Sequence, residues 1–221
     1  MTGGTAVVSA TDKEPCSCTR TGSRRGVRAR HRSVTRFDED QLPPGLEIRT
    51  EAMMDHPAVS TVVAAAFGSR EEAQLVENIR ASAEFVPDLS LVADIDGQIV
   101  GHVMISHATI DDADADATHR IAVLAPLAVA PGFQRRGIGS ELVRRVAARA
   151  DDLGEPLVVL EGDPTFYGRL GFEYSATYGI HITLPSWAPA EASQVLRLSN
   201  YTTSIRGHVV FPPAFGAVTE H

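Results

Sequence analysis

The sequence predicts an α/β fold, and three features of the chain support this class. The apolar run at residues 121–130 is continuous rather than alternating, which is typical of a strand covered on both faces. A helix follows from about Gly137, because apolar residues recur there at helical spacing as far as Leu153. Two β-rich runs at residues 89–95 and 98–106 are separated by Asp-Gly, a strong hairpin signal. Together these features predict a sheet with helices packed on it.

The N-terminal half of the predicted domain contains one strand and two helices before the hairpin. Pro43-Pro44-Gly45 marks the domain boundary, and residues 46–49 alternate as a strand. Residues 53–67 and 71–82 have the apolar spacing of helices. The aspartate-rich stretch at 111–118 lacks the glycine and the final glutamate of a calcium-binding loop, so we interpret it as a solvated hairpin tip.

The C-terminal half continues with a strand, a short helix and further strands. Gly154 stands where the central helix requires a left-handed C-terminal cap, and residues 157–160 form another buried strand. Asp163 is a suitable N-cap for a helix that has Pro164 at its first position. Strand-like runs follow at residues 179–184, 194–198 and 207–215.

The glycine-rich turn before the central helix has the features of an anion site. The first N–H groups of a helix have no carbonyl partner, and the helix dipole places about half a positive charge there. Gly137 and Gly139 allow a phosphate to approach the backbone closely. The turn lacks the third glycine of the dinucleotide motif, and no Gly-Lys-Ser/Thr follows it. A nucleotide triphosphatase is therefore disfavoured.

The same turn carries a resemblance to a known family. Gln134-Arg135-Arg136-Gly137-Ile138-Gly139 matches the Gln/Arg-x-x-Gly-x-Gly/Ala motif, and the chain resembles the GCN5-related N-acetyltransferases (GNAT). Gly-Asp-Pro-x-Phe-Tyr-x-Arg-x-Gly-Phe at 162–172, Pro-Ala-Glu-Ala at 189–192 and the final run at 207–215 are similar to the YhbS-like branch of this family. The resemblance implies the GNAT fold, in which helices flank a mixed, mostly antiparallel twisted sheet with splayed parallel strands.

The resemblance also implies a co-substrate and the residues that hold it. Acetyl-CoA is the acyl donor in that family, and its pantetheine arm pairs with the strand before the turn, while the turn holds the pyrophosphate. The implied pantetheine contacts are Leu127, Ala128 and Val129, and the implied pyrophosphate contacts are Arg135, Arg136, Gly137, Ile138, Gly139 and Ser140. Gln134 belongs to the same cofactor-binding motif.

Two residues are candidates for the proton transfers of acyl transfer to an amine. Tyr167 occupies the place where the family commonly has a tyrosine facing the CoA sulfur, so the resemblance implies that its hydroxyl protonates the departing thiolate; the alternative is simple packing beneath residues 170–172. The strand at 124–129 contains no carboxylate, and Pro126 stands where some relatives have theirs. Glu161, at the end of the next buried strand, would be a base if partial burial raised its pKa; otherwise it is a solvated strand-end glutamate.

The charge and the hydrophobic composition of the chain limit the classes of binding partner that we expect. Of 20 Lys and Arg and 28 Asp and Glu residues, the first 40 positions hold eight and five, which leaves an acidic body that disfavours duplex nucleic acid. No apolar run is long enough for a membrane span and no signal peptide is evident, so we expect a cytoplasmic protein, monomeric or homodimeric.

No metal site is expected from the sequence. Cys16 and Cys18 have no second pair with which to complete a zinc site. His102, His107 and His119 have no mutual spacing typical of metal ligands, so each is interpreted as a surface histidine or one with satisfied hydrogen bonds.

The predicted organisation is a disordered basic extension over residues 1–43 followed by an acyltransferase domain over residues 44–221. The leading hypothesis is an acetyl-CoA-dependent N-acetyltransferase that acts by direct transfer to a primary amine of a small molecule or a peptide. Its alternative is a non-catalytic acyl-CoA sensor or scaffold with the same fold. A third hypothesis is nucleic-acid binding through the arginine-rich extension, and a simple unstructured extension is favoured over it. The acceptor itself cannot be read from the fold.

Overall fold

The structure is a computed structural model that describes residues 42–112 and 115–216. The predicted basic extension over residues 1–43 therefore lies outside the described residues, apart from its last two. The described strands are β1 Leu46–Thr50, β2 Phe85–Ile95, β3 Gln98–Asp112, β4 Ala117–Val129, β5 Leu157–Glu161, β6 Glu173–Tyr174, β7 Ile180–His181, β8 Ser193–Arg197 and β9 Gly207–Val210. The helices are α1 His56–Phe67, α2 Glu71–Arg80, α3 Ile138–Asp152, α4 Pro164–Gly168 and α5 Pro213–Gly216.

One mixed sheet joins all nine of these strands. Its main path runs β1-β2-β3-β4-β5-β8-β6, and β9 pairs with both β3 and β7. The pairs β4–β5 and β7–β9 are parallel, and the other pairs are antiparallel. This confirms the predicted mixed, mostly antiparallel sheet.

Helices cover both faces of the sheet, which explains why its central strands are apolar throughout. On one face, α1 and α2 pack on a cluster that includes Val92, Met104 and Val123; we call this the α1–α2 face. On the other, α3 packs on a cluster that includes Leu91 and Leu124; we call this the α3 face. The two clusters alternate along each strand, as the pleat requires.

The parallel strands β4 and β5 separate after a short pairing. Their register is Ala122 with Val158 and Val123 with Val159, after which β4 continues to Val129 and β5 to Glu161. The two strand ends therefore diverge and leave a cleft between them. The predicted splay of the parallel strands is confirmed.

A β-bulge in β4 lies beside this cleft. Val103 pairs with Leu127 and Ile105 with Leu124, so the single residue Met104 on β3 faces both Ala125 and Pro126 on β4. The Ala125–Pro126 peptide bond is cis. As a result, Leu124 and Leu127 both lie in the α3-face cluster, although they are three residues apart.

The structure differs from the sequence prediction mainly in the lengths of strands. β2 begins at Phe85, four residues before the predicted run at 89–95, because the strand accommodates an irregularity of register between Phe85 and Ser90. The predicted strand at 179–184 contains only the two residues of β7. The predicted run at 207–215 ends as a strand at Val210, and α5 begins at Pro213, because proline lacks a ladder donor and suits a first helical turn.

The left-handed cap predicted at the end of α3 is confirmed. Gly154 has φ +84°, its N–H donates to the carbonyl of Asp151, and the N–H of Glu155 donates to the carbonyl of Ala150. These two bonds form a Schellman motif, which directs the chain from α3 into β5.

Replacing Gly154 by Ala should lower the free energy of unfolding by about 1 kcal/mol, because a side chain destabilises the left-handed conformation. Urea denaturation measures the change. Gly168→Ala is the matched control, since a Cβ there meets no atom within 4 Å. Equal stability of the Gly154→Ala protein and the wild type would contradict the prediction.

Candidate functional site

The turn between β4 and α3 exposes backbone N–H groups at the edge of the cleft. Arg135 and Gly137 both have left-handed backbone conformations, with φ +58° and φ +78°, and Gly137 is the N-cap of α3. The carbonyl of Gly137 accepts the first helical hydrogen bond, from the N–H of Glu141 at 3.0 Å. The N–H groups of residues 138–140 precede that bond and have no partner within the helix. This is the donor arrangement that the sequence predicted.

The side chains of the turn have different roles from its backbone. Gln134 donates from Nε2 to the carbonyl of Val129 at 3.0 Å, so its side chain fixes the turn to the end of β4. Ile138 is only 1% exposed and packs into the α3-face core, so its side chain anchors the start of α3. Arg136 is exposed, and its guanidinium lies 5.5 Å from the ring centre of Phe133.

Three elements meet at Gly139. A Cβ at this residue would lie 3.6 Å from Phe166 of α4, 3.7 Å from Val129 and 3.9 Å from Leu127. The first turn of α3, the end of β4 and α4 therefore form one side of the cleft. Gly139 thus brings the start of α3 close to the side chains of β4 and α4.

Tyr167 lies behind this contact, on the α3 face. It is 1% exposed, and its ring packs edge-on against Phe166 at 4.8 Å and Phe172 at 5.5 Å. The ring also fills the space next to Gly162, where a Cβ would come within 2.3 Å of it. Burial raises the pKa of Tyr167 well above its ordinary value, and the charge of Asp163 adds to this. The hydroxyl therefore keeps its proton at neutral pH.

Glu161 is the last residue of β5 and is 5% exposed. Burial raises its pKa from the ordinary 4.5 to about 7. Leu157 and Val159 belong to the α1–α2 face, so the alternation of the strand places the Glu161 side chain on that face too. Glu161 and Tyr167 thus lie at the end of the same strand but on opposite faces of the sheet.

The turn that follows Glu161 is held in part by Gln194, which the sequence analysis did not single out. Gly162 donates its N–H to the carbonyl of Ala192 at 2.9 Å, and its own carbonyl accepts from Gln194 Nε2 at 3.0 Å. Gln194 is buried, and buried polar side chains are nearly always hydrogen-bonded. The signal available in the sequence was a polar residue within the predicted strand at 194–198. The predicted N-cap is confirmed, because the Asp163 carboxylate accepts from the N–H of Thr165 at 2.7 Å.

Three ring-bearing residues of the C-terminal segment, Tyr178, His181 and Trp187, have distinct surroundings. The hydroxyl of Tyr178 donates a hydrogen bond to the carboxylate of Glu173. The ring of His181 packs against that of His208, with 5.2 Å between the ring centres. Trp187 is 66% exposed. It lies in the connection from β7 to β8 that ends at Ala192, next to the turn after Glu161.

The described residues contain no group of three or more His, Cys, Asp or Glu side chains that could hold a metal ion. None of the helices in residues 42–112 and 115–216 is long and apolar enough to cross a membrane.

Comparison with known proteins identifies relatives along most of the domain. The family model of the Acetyltransferase (GNAT) family matches residues 51–172. The uncharacterized N-acetyltransferase YhbS of Escherichia coli K12 is 32% identical over 154 residues, which cover 69% of this chain and 87% of YhbS. The uncharacterized N-acetyltransferase YjhQ of the same strain is 36% identical over 120 residues, which cover 54% of this chain and 65% of YjhQ.

Two solved structures are also similar to this chain. The crystal structure of E. coli YhbS in complex with CoA superposes with a TM-score of 0.69 at 29% identity, covering 77% of this chain and 92% of that one. A GNAT family acetyltransferase from Brucella melitensis in complex with acetyl-CoA superposes with a TM-score of 0.62 at 28% identity, covering 77% and 97%. The predicted resemblance to the YhbS-like branch and the predicted fold are confirmed.

Replacing Gly137 by Ala should weaken CoA binding by roughly tenfold, because the left-handed conformation costs a non-glycine residue about 1–2 kcal/mol. Gly137→Asn should lose less, since asparagine adopts this conformation more readily and carries a Cβ as well. Gly139→Ala should keep the fold, because its Cβ makes only ordinary contacts. Isothermal titration of CoA measures binding by the two Gly137 variants, and thermal unfolding checks the fold of Gly139→Ala. Equal binding by the Gly137→Ala and Gly137→Asn proteins would show that backbone conformation at this residue does not matter.

Replacing Glu161 by Gln should stabilise the protein at pH 8 but not at pH 5. The pKa of Glu161 is raised from 4.5 to about 7 in the folded state, so its favourable contribution is complete below pH 4.5 and is lost as the pH rises through about 7. The difference in melting temperature between the variant and the wild type should therefore grow with pH. Glu191→Gln, at an exposed neighbouring position, is the control. A difference that does not change with pH would contradict the prediction.

Proposed function

Because the chain belongs to the Acetyltransferase (GNAT) family, we propose that it transfers an acetyl group from acetyl-CoA to a primary amine by direct attack in a ternary complex. The acceptor is the amine of a small molecule or a peptide. The CoA and acetyl-CoA complexes of the two similar structures support the choice of donor.

Acetyl-CoA would lie in the cleft between β4 and β5. Its pyrophosphate binds the N–H groups at the start of α3, and its pantetheine arm follows Leu127, Ala128 and Val129. Two observations support this placement: the strands diverge at this level, and Gly139 leaves the α3 side of the cleft without a side chain. Helix N-termini favour phosphate through both their free donors and the helix dipole.

The chemical step requires a proton acceptor for the amine and a proton donor for the thiol. Glu161 takes a proton from the ammonium form of the acceptor, and the neutral amine attacks the thioester carbonyl. A backbone N–H at the end of β4 stabilises the oxyanion that forms. When the carbon–sulfur bond breaks, the thiolate takes the proton of Tyr167. The excess proton of the attacking nitrogen restores the tyrosine hydroxyl by way of solvent, and Glu161 releases its proton to water. The products are an N-acetyl amine, CoA and one proton.

The observation that carries this proposal is the placement of Glu161 and Tyr167 on opposite faces of the sheet at the end of β5. A thioester in the cleft between β4 and β5 would then have a carboxyl group with a pKa of about 7 on one side and a protonated phenol on the other. A general base with a pKa near the working pH is efficient, because it is both available and basic enough.

The proposal is tested by two paired measurements. Isothermal titration should show binding of acetyl-CoA and CoA, and a free-thiol assay should show thiol release that depends on an added amine from a panel of spermidine, L-phenylalanine, kanamycin, n-butylamine and a short peptide with a free N-terminus. Self-acetylation adds little background, because Lys13 is the only lysine in the chain. Binding without amine-dependent thiol release by any member of the panel would overturn the enzymatic proposal and favour the sensor.

The two proposed catalytic residues should give different kinetic signatures. The wild-type kcat/KM should rise with pH through about 7 and then level off, because Glu161 acts as its carboxylate, and Glu161→Gln should remove this step. Tyr167→Phe should lower kcat by about 100-fold at every pH while leaving CoA affinity unchanged. Steady-state kinetics over pH 5.5–9 with the best amine of the panel measures both. A Tyr167→Phe protein with wild-type kcat would show that Tyr167 only packs in the core.

A further inference from the structure

A buried serine that the mechanism above does not use lies directly beside Glu161. In the antiparallel ladder between β5 and β8, Glu161 pairs with Ser193. Val159 and Val195, two residues away on the same strands, both belong to the α1–α2 face, so Glu161 and Ser193 also have their side chains on that face. The proposed base therefore has a hydroxyl as its cross-strand neighbour.

The register brings these two side chains close together. The next pair of residues, Gly162 and Ala192, is joined by a hydrogen bond from the N–H of Gly162 to the carbonyl of Ala192. Bonded and non-bonded pairs alternate along an antiparallel ladder, so Glu161 and Ser193 form a non-bonded pair, in which side chains approach more closely. Their Cβ atoms are thus about 4.5–5.5 Å apart. Rotation about the outer bonds of the Glu161 side chain can bring its carboxyl group to the Ser193 hydroxyl.

The proton of Ser193 is already committed to a second serine. Ser175, in the turn before β7, donates its hydroxyl proton to the carbonyl of Ile180 at 2.9 Å. The hydroxyls of Ser175 and Ser193 are hydrogen-bonded to each other, and because a hydroxyl has only one proton, Ser193 must be the donor in that bond. The two serines are 0% and 4% exposed; we call them the serine pair. The Ser193 oxygen can therefore only accept a further hydrogen bond.

The carboxyl group of Glu161 is the neighbour that could supply this bond. It makes no hydrogen bond to another residue in the ranges 42–112 and 115–216, and burial is the cause of its raised pKa. An ionised carboxylate has no proton to donate, whereas a protonated carboxyl group has one O–H donor. Ser193 therefore favours the protonated form of Glu161, in the same direction as burial.

We propose that Ser193 is a positioning residue for Glu161, and that its oxygen accepts the O–H of the protonated carboxyl group. After Glu161 has taken a proton from the acceptor ammonium, its O–H turns toward Ser193 and away from the neutral amine. Ser175 and the carbonyl of Ile180 keep Ser193 in the accepting orientation. The amine is thus not protonated again before it attacks. This inference rests on the proposed acetyltransferase function, in which Glu161 is the base.

The surroundings of Glu161 leave this hydrogen bond without a competing charge. On the side of β5 opposite Ser193, β4 has only apolar residues at 121–129. The ionisable groups of the neighbouring elements have other contacts: Asp163 accepts from an N–H at the start of α4, Glu173 of β6 pairs with Arg197, and His181 of β7 packs against another ring. A change in the pKa of Glu161 on substitution of the serine pair would therefore report on its hydrogen bonds.

Replacing either serine should lower the pKa of Glu161, by different amounts. In Ser175→Ala the proton of Ser193 becomes free to donate to the ionised Glu161 carboxylate, so the pKa should be about 1 lower than in the wild type. In Ser193→Ala the protonated form loses its acceptor, and the pKa should be about 0.5 lower. Carboxyl ¹³C NMR of the full-length, glutamate-labelled protein from pH 4 to 9 measures both, with the Glu161 signal assigned by its loss in Glu161→Gln.

The order of the two variants separates the hydrogen bonds from simple entry of water. Water admitted by a smaller side chain would lower the pKa more in Ser193→Ala, because Ser193 is nearer to Glu161 than Ser175 is. The proposal predicts the larger decrease in Ser175→Ala. The double variant should have the pKa of Ser193→Ala alone, since Ser175 acts only through Ser193. An unchanged or raised pKa in either single variant, or the opposite order, would overturn the inference.

Steady-state kinetics distinguish a failure of this inference from a failure of the proposed function. With n-butylamine, the pH at which kcat/KM rises should move down in each variant by as much as the pKa that NMR measures, while the Kd of acetyl-CoA stays unchanged. If the wild type released no thiol with any amine of the panel, the proposed function would fail. Turnover by the wild type, with a pH profile that neither substitution moves, would overturn the role of Ser193 alone.

Discussion

The short parallel pairing of β4 and β5 determines where the rest of the site can lie. Two residue pairs join these strands, and beyond Val123 and Val159 their ends diverge while each remains paired on its outer side, β4 with β3 and β5 with β8. A cleft opens inside the sheet without leaving a long free edge. Its floor is the backbone of the diverging strands, so an extended ligand can bind there through main-chain groups.

Helices on both faces make this cleft chemically asymmetric. On the α3 face the turn with left-handed Gly137 offers N–H groups, and Phe166 joins that turn to Tyr167. On the α1–α2 face the buried carboxyl group of Glu161 lies at the end of β5. The faces differ because the pleat of β5 sends Glu161 to one side, while the chain after Gly162 returns Tyr167 to the other. The proposed donor and acceptor sides are thus a consequence of strand alternation.

The sequence predicted the central elements because their signals are local. The continuous apolar run of β4, the spacing along α3 and Gly154 depend on neighbours within a few residues, and each prediction is confirmed. Strand ends were less predictable, since Pro87 is tolerated within β2 only through a shift of register against β3.

The buried polar contacts on the α1–α2 face could not be derived from the sequence, because they join distant segments. The partners of His102, which are Glu51 and Ser90, come from other elements of the fold. A histidine within a buried apolar run was the signal available, and it does not identify the partners. Likewise, the raised pKa of Glu161 depends on burial that only the packed sheet creates.

The most direct test of the account is a crystal structure with a bisubstrate ligand in which n-butylamine is joined to the CoA sulfur through an acetyl linker. The account predicts pyrophosphate at the start of α3 and the linker between the Glu161 carboxylate and the Tyr167 hydroxyl. Pyrophosphate bound elsewhere, or the amine on the α3 face, would contradict it.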